Sequence, residues 1–196
     1  MLKKSLFLAL ALLLLPVSMA VSTGSANATT AIETEATLKA RLLTPIELKA
    51  ALEANGVTKA FPRTVDVPDI NFPELVTSGR VWEANDGSVL YTSLLSYIDG
   101  RSIPASRRTE VLSGALAKDV VTGYFTANEY LGELEVISEN DIAHGFLATL
   151  DGKEYEVAII SFIRGNIFGI VMYAATGSNE GDEVLSAFGG QTAKLP

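Results

Sequence analysis

Side chains that attack a carbon, relay a proton or hold a metal are scarce in this chain. Its one histidine is His144, and it has no cysteine. A Ser–His–Asp triad would be built on that histidine, but no G-x-S-x-G elbow accompanies it. A zinc site needs several nitrogen or sulfur donors, more than one histidine supplies. His144 opens a predicted strand, where a structural imidazole is the simpler reading.

Carboxylates gather twice. Glu129, Glu133, Glu135, Glu139 and Asp141 form one group, and Glu180, Asp182 and Glu183 the other. Oxygen ligands suit calcium, but neither group carries the D-x-D-x-D-G-x5-E loop. Both read as solvated acidic surface, with calcium at 180–183 the one ion left to test. A glycosidase needs two carboxylates facing each other across a sugar cleft, and the single tryptophan, Trp82, is no sugar platform and reads as core. The GSNEG stretch at 177–181 lacks the lysine of a phosphate loop, and its neighbouring acids repel phosphate. Arg164-Gly165-Asn166 reads as a hairpin corner, with Arg164 as a lone cation on an acidic surface the alternative.

The elements that would position these residues follow from periodicity and punctuation. Thr44-Pro45-Ile46-Glu47 combines a cap, a first-turn proline and a capping-box acid, so a helix is expected to run from there to about Ala54 and to stop at Asn55-Gly56. Pro62, Pro68 and Pro73 bar residues 61–73 from a helix or a central strand. An extended segment is expected there, held by Phe61, Val65, Val67, Ile70 and Phe72. Residues 80–84 and 88–98 read as strands around the Asn85-Asp86-Gly87 turn. Pro104 opens one long helix to about Thr122, closed by Gly123. A β-meander follows, with strands expected at 134–138, 143–150, 154–164 and 167–175 and a turn at Asp151-Gly152. A last helix runs from Asp182 to about Phe188, is stopped by Gly189-Gly190, and docks Val184, Leu185 and Phe188.

The first twenty residues read as a signal peptide. Lys3 and Lys4 precede an apolar stretch at 6–15, Pro16 breaks it, and Ser18 and Ala20 supply the small residues a peptidase inspects. The apolar stretch is short for a membrane span, which needs about 20 apolar residues. Residues 21–41, rich in Ser, Thr, Ala and Glu, are expected to be a flexible spacer before a single domain at 42–196. Within that domain, 42–77 would hold the first helix and the proline-rich segment, and 78–190 the sheet core. Losing Lys3 and Lys4 takes the net charge from −8 to −10, a surface that disfavours nucleic acid and anionic membrane.

The strand pair from Trp82 to Ile98, the helix from Pro104, the run EYEVAIISFIRGNIFGIVMYAA and the closing DEVLSAFGG together resemble the PsbP-like family. FIRGNIFGIVMYAA is also similar to a hairpin of actinobacterial exported and kinase-sensor ectodomains with that fold. The resemblance spans about residues 78–190 and has no catalytic motif to carry over. It implies a non-enzymatic accessory, sensor or binding domain.

The expected fold class is therefore α+β, a largely antiparallel sheet with the long helix and the C-terminal helix on one face. The expected function is that of an exported, non-catalytic binding, sensor or accessory domain, working through protein contacts or on a neutral ligand and without a metal or organic cofactor. The polar, Gly-containing loops are the expected recognition surfaces: Asp99, Gly100 and Arg101; Arg164 and Asn166; and Ser178, Asn179 and Glu180. A small secreted hydrolase with a site of scattered acids and hydroxyls is the alternative.

Overall fold

The computed structural model describes residues 32–67, 74–177 and 181–196. The leader, most of the spacer, Pro68, Ile70, Phe72 and Pro73, and Ser178, Asn179 and Glu180 lie outside the described residues.

The expected first helix forms as its signals require. It is α2 (Pro45–Ala54), with Thr44 and Glu47 in a reciprocal capping box and Pro45 in its first turn. The spacer expected at 21–41 needs correcting at its end. Glu35–Arg41 is a helix, α1, capped by Thr34. Apart from two alanines its one apolar side chain is Leu38, which is fully buried, and Leu42 and Leu43 follow it into the core. One anchoring leucine in a polar run leaves no periodicity to read.

Seven strands form one antiparallel sheet: β1 (Arg63–Val67), β2 (Leu75–Glu83), β3 (Val89–Tyr97), β4 (Thr126–Ser138), β5 (Asp141–Leu150), β6 (Lys153–Arg164) and β7 (Ile167–Ala175). Their order across the sheet is β1-β2-β3-β7-β6-β5-β4. The proline-flanked segment supplies β1 at one edge, where a strand bonded on one side only tolerates nearby prolines. At the other edge, β4 is far longer than the expected 134–138. Its pairing with β5 shifts register four times, leaving Asn128, Leu131, Leu134 and Ile137 out of the ladder.

The expected α+β class with an antiparallel sheet is the class observed, but the helices lie on both faces. Alternate residues of β6 show it. Ile160 and Phe162 pack with Leu38 of α1, Leu48 of α2 and Phe188 of α5 (Asp182–Thr192). Val157 and Ile159 pack with Ala117 and Val121 of α4 (Gly114–Tyr124). β7 is buried along its whole length. A strand covered on both faces reads as one apolar run, so the sequence hides which helix lies on which side.

The long helix from Pro104 is two. α3 (Ala105–Val111) ends at Leu112, and α4 restarts after Ser113. A methyl group on Gly114 would stand 2.7 Å from the Tyr130 hydroxyl, so the break and its glycine give that ring room. Gly123 lies inside α4 rather than closing it. α5 likewise runs through Gly189-Gly190. Gly190 faces Ala51 of α2, where a Cβ would come within 2.9 Å, so it serves a helix crossing rather than a stop. Val184 and Phe188 are buried as expected, whereas Leu185 is 42% exposed.

Candidate functional site

The chain leaving α2 does not drop straight into β1. Gly56 takes φ +77°, and residues 57–62 cross the sheet before β1 begins. A half-open cleft of about 860 Å³ lies between this crossing and α2, a size common for small-molecule sites. Leu48, Leu52, Val57 and Phe61 give it apolar walls, and Thr64 and Trp82 line it from the sheet. Thr64 and Trp82 are register partners on β1 and β2. Trp82 is 1% exposed, and among the described residues its indole N–H has no hydrogen-bond partner.

A polar hub closes one end. The Lys59 ammonium donates to the Tyr173 hydroxyl at 2.6 Å and to Ser88 Oγ at 3.1 Å, and pairs with Asp86 at 2.9 Å. Tyr173 in turn donates to Glu183 of α5 at 3.2 Å, and its ring meets Phe61 edge-on. Burial alone would lower the Lys59 pKa, but the hydrogen bonds with Tyr173 and Asp86 outweigh it and hold it above its ordinary value. The hydrogen bond from Lys59, helped by the Ser88 N–H, holds Asp86 down at about 2. Burial raises the Tyr173 phenol. At neutral pH the hub is a cation, a carboxylate and a neutral phenol, locked together.

The loops singled out from sequence are built differently. Arg164 forms a two-pronged pair with Asp141, which is 3% exposed, and lies over the Phe188 ring. Asn166 is buried and shares two hydrogen bonds with Ser96. Arg164 and Asn166 are thus parts of the frame, and the lone-cation alternative for Arg164 falls. Asp99, Gly100 and Arg101 form a turn at the same end of the sheet. Asp99 accepts the Arg101 N–H, and Arg101 stacks on Tyr97 and pairs with Glu74 at 2.6 Å. Neither group of loop residues lines the cleft.

His144 lies under the break between α3 and α4. Tyr130 Oη is 3.0 Å from its Nδ1, while Nε2 lacks a well-formed hydrogen bond. Burial lowers its pKa, opposed by Glu133 across the strand pair and by the Leu112 carbonyl in the helix break. Among the described residues, no three or more His, Cys, Asp or Glu side chains come together as a metal site. No described helix is long and apolar enough to cross a membrane.

Sequence reasoning missed Lys59, Thr64 and Tyr173 as site residues, while its reading of Trp82 as core holds, the ring being 1% exposed. The available signal was Lys59 and Phe61 flanked by a helix stop at Gly56 and a proline at Pro62, a polar–aromatic pair on a segment barred from regular structure.

No family model matches the chain, and no curated protein matches it. Among solved structures it is similar to the extracellular domain of PknH from Mycobacterium tuberculosis, with a TM-score of 0.52 at 9% identity. The match covers 84% of this chain and 98% of that domain. At that identity the likeness is one of fold, and no matching family model supports the PsbP-like resemblance.

Proposed function

We propose that this chain is an exported, non-catalytic binding domain, a sensor or accessory module, that engages its ligand or partner at the cleft between α2 and the β1–β2 edge of the sheet. The observation that carries the reading is the cleft itself, with apolar walls from Leu48, Leu52, Val57 and Phe61. The leader pattern at 1–20 supports export. The fold shared with an extracellular domain is in keeping with that location. A hydrolase built on scattered acids and hydroxyls has less support, because Asp141, Arg164, His144 and Tyr173 are committed to internal contacts.

Native mass spectrometry of the protein recovered from culture medium tests this. A small molecule carried by the wild type and lost in Thr64→Phe, which fills the cleft from an exposed strand position, is the expected result. Turnover of generic ester, glycoside or phosphate substrates would move the protein to the enzyme class. N-terminal sequencing of the same material should begin near Val21, and an intact Met1 would contradict cleavage of the leader.

A further inference from the structure

None of the 13 residues of β4 is fully buried. Tyr130, Leu131, Leu134 and Val136 are 46%, 49%, 56% and 58% exposed within one short stretch, whereas the other exposed large apolar residues, at 32, 46, 65, 98 and 185, fall singly on separate segments. Apolar exposure gathered in one place marks a contact surface. The residues left out of the ladder turn toward the α5 side of the sheet. Asn128 donates to Thr149 Oγ1, Leu134 lies over Gly145, and Ile137 packs with the cluster around Ile160 and Phe162. Leu131 holds the same place in the repeat, so Leu131, Leu134 and Ile137 form one apolar row. Tyr130 points the other way, onto Phe146 and His144. On the row's side, α5 packs on β6 and β7, inboard of it.

Spacing and charge say what fits there. Three residues of β4 span two of β5, so neighbours in the row stand about 6.6 Å apart. Residues i and i+4 of a helix are separated by about 6 Å along its axis, so a helix laid along β4 meets the row turn by turn. Four register shifts make β4 a poor template for an added strand. Glu129 and Glu135, opposite Leu147 and Ala143 in the ladder, flank the row. Both are exposed, and neither takes part in an ion pair among the described residues. β4 and β5 contain no Lys or Arg that could match them. A complementary surface carries apolar side chains in one stripe with cations beside it. We propose that this row docks a cationic amphipathic helix of another protein, its apolar stripe against Leu131, Leu134 and Ile137 and its lysines or arginines against Glu129 and Glu135. The surface shares no residue with the cleft and does not depend on the cleft reading.

The probe is a Leu/Lys peptide of about 14 residues, roughly four helical turns with every leucine on one face. Titrated into labelled protein and followed in ¹⁵N–¹H spectra, it should move the β4 amides saturably. A Leu/Glu peptide of the same pattern and a Ser/Lys peptide of the same charge should each bind about tenfold more weakly or worse. Leu134→Ser should weaken the Leu/Lys peptide by about tenfold through lost burial, and Glu135→Lys by about as much through reversed charge. Both side chains are exposed, so the melting temperature should hold in each variant. Thr64→Phe, which fills the cleft, should leave peptide binding unchanged. Equal binding of either control peptide would overturn the proposal, as would shifts confined to other elements or no shift at all. So would β4 shifts that grow with protein concentration in the absence of peptide, which would seat a second copy there.

Discussion

Gln191 accepts the backbone N–H of Leu43 through its side-chain oxygen at 3.2 Å, across 148 residues of chain. The same carboxamide donates to the Arg41 carbonyl at 2.8 Å, and Gln191 is fully buried. One side chain near the C-terminus therefore satisfies two backbone groups at the α1–α2 junction. Gln191→Met keeps the volume and leaves both groups unmatched, and should destabilise the protein by about 2–3 kcal/mol in urea denaturation, the cost of two buried unsatisfied groups partly relieved by local relaxation. Deleting residues 182–196 should lower the melting temperature much further. An unchanged curve for either variant would show the clasp to be idle.

The adjacent glycines of α5 should respond in opposite directions. Gly189 is exposed, and a methyl group there meets nothing within 4 Å. Gly189→Ala should stabilise by about 0.5–1 kcal/mol through helix propensity. Gly190→Ala puts a Cβ 2.9 Å from that of Ala51 and should destabilise by about 1–3 kcal/mol by forcing α2 and α5 apart. Melting temperatures that move in the same direction for both would refute the crossing described above.

Stability should fall early on acidification because of His144. Burial holds its folded pKa below the ordinary 6.5, so the unfolded chain takes up the proton first. The contribution of the neutral imidazole is complete above pH 6.5 and is lost as pH falls below it. His144→Leu should flatten the stability profile between about pH 6.5 and 5, above the range of ordinary carboxylates. A second loss follows below about pH 4, where Glu47 and Asp86, each held at about 2, take up protons in the unfolded chain before the folded one. Denaturant midpoints at pH 7.5, 5.5 and 3.5 separate the two steps.

Arg164→Met should act on the frame alone. It strands Asp141, whose side chain is 4% exposed, while Arg164 itself keeps 27% exposure. A loss of about 2–3 kcal/mol is expected, toward the low side for breaking a buried pair because one partner is partly wet. Asp141→Asn in the same chain should recover part of it, and ligand affinity at the cleft should be unchanged in both variants. A drop in affinity would return Arg164 to the recognition surface.

What was legible from sequence was what local chemistry dictates. The Thr44–Glu47 cap, the Asp151-Gly152 turn, with both residues at positive φ, and the antiparallel run from β5 to β7 were readable because turn residues and apolar runs are local signals. What depends on distant residues was hidden. Tyr130 makes Gly114 and the helix break necessary, Ala51 gives Gly190 its purpose, and Leu38 needs the whole α1-covered face to bury it. The cleft was hidden for the same reason. Lys59, Trp82 and Tyr173 lie on three separate segments, and Lys59 meets Tyr173 across 114 residues. Of the loop residues chosen instead, Arg101, Arg164 and Asn166 hold strand ends through Glu74, Asp141 and Ser96.

The broken ladder of β4 bears on how the molecule tolerates crowding by its own copies. Thirteen residues of β4 are laid along the stretch of β5 from Asp141 to Thr149, so every third residue is thrown out of register. A second copy approaching that rim would find no even row of amides to continue, and its own rim would be equally uneven. The oily side chains there, Leu131, Leu134 and Val136, are about half or more exposed, but Glu129, Glu133 and Glu135 stand among them, so like rims repel. Uneven backbone and like charge thus both oppose edge-to-edge growth into fibres. Straightening β4 by deleting the out-of-register residues would remove that protection before it disturbed the core.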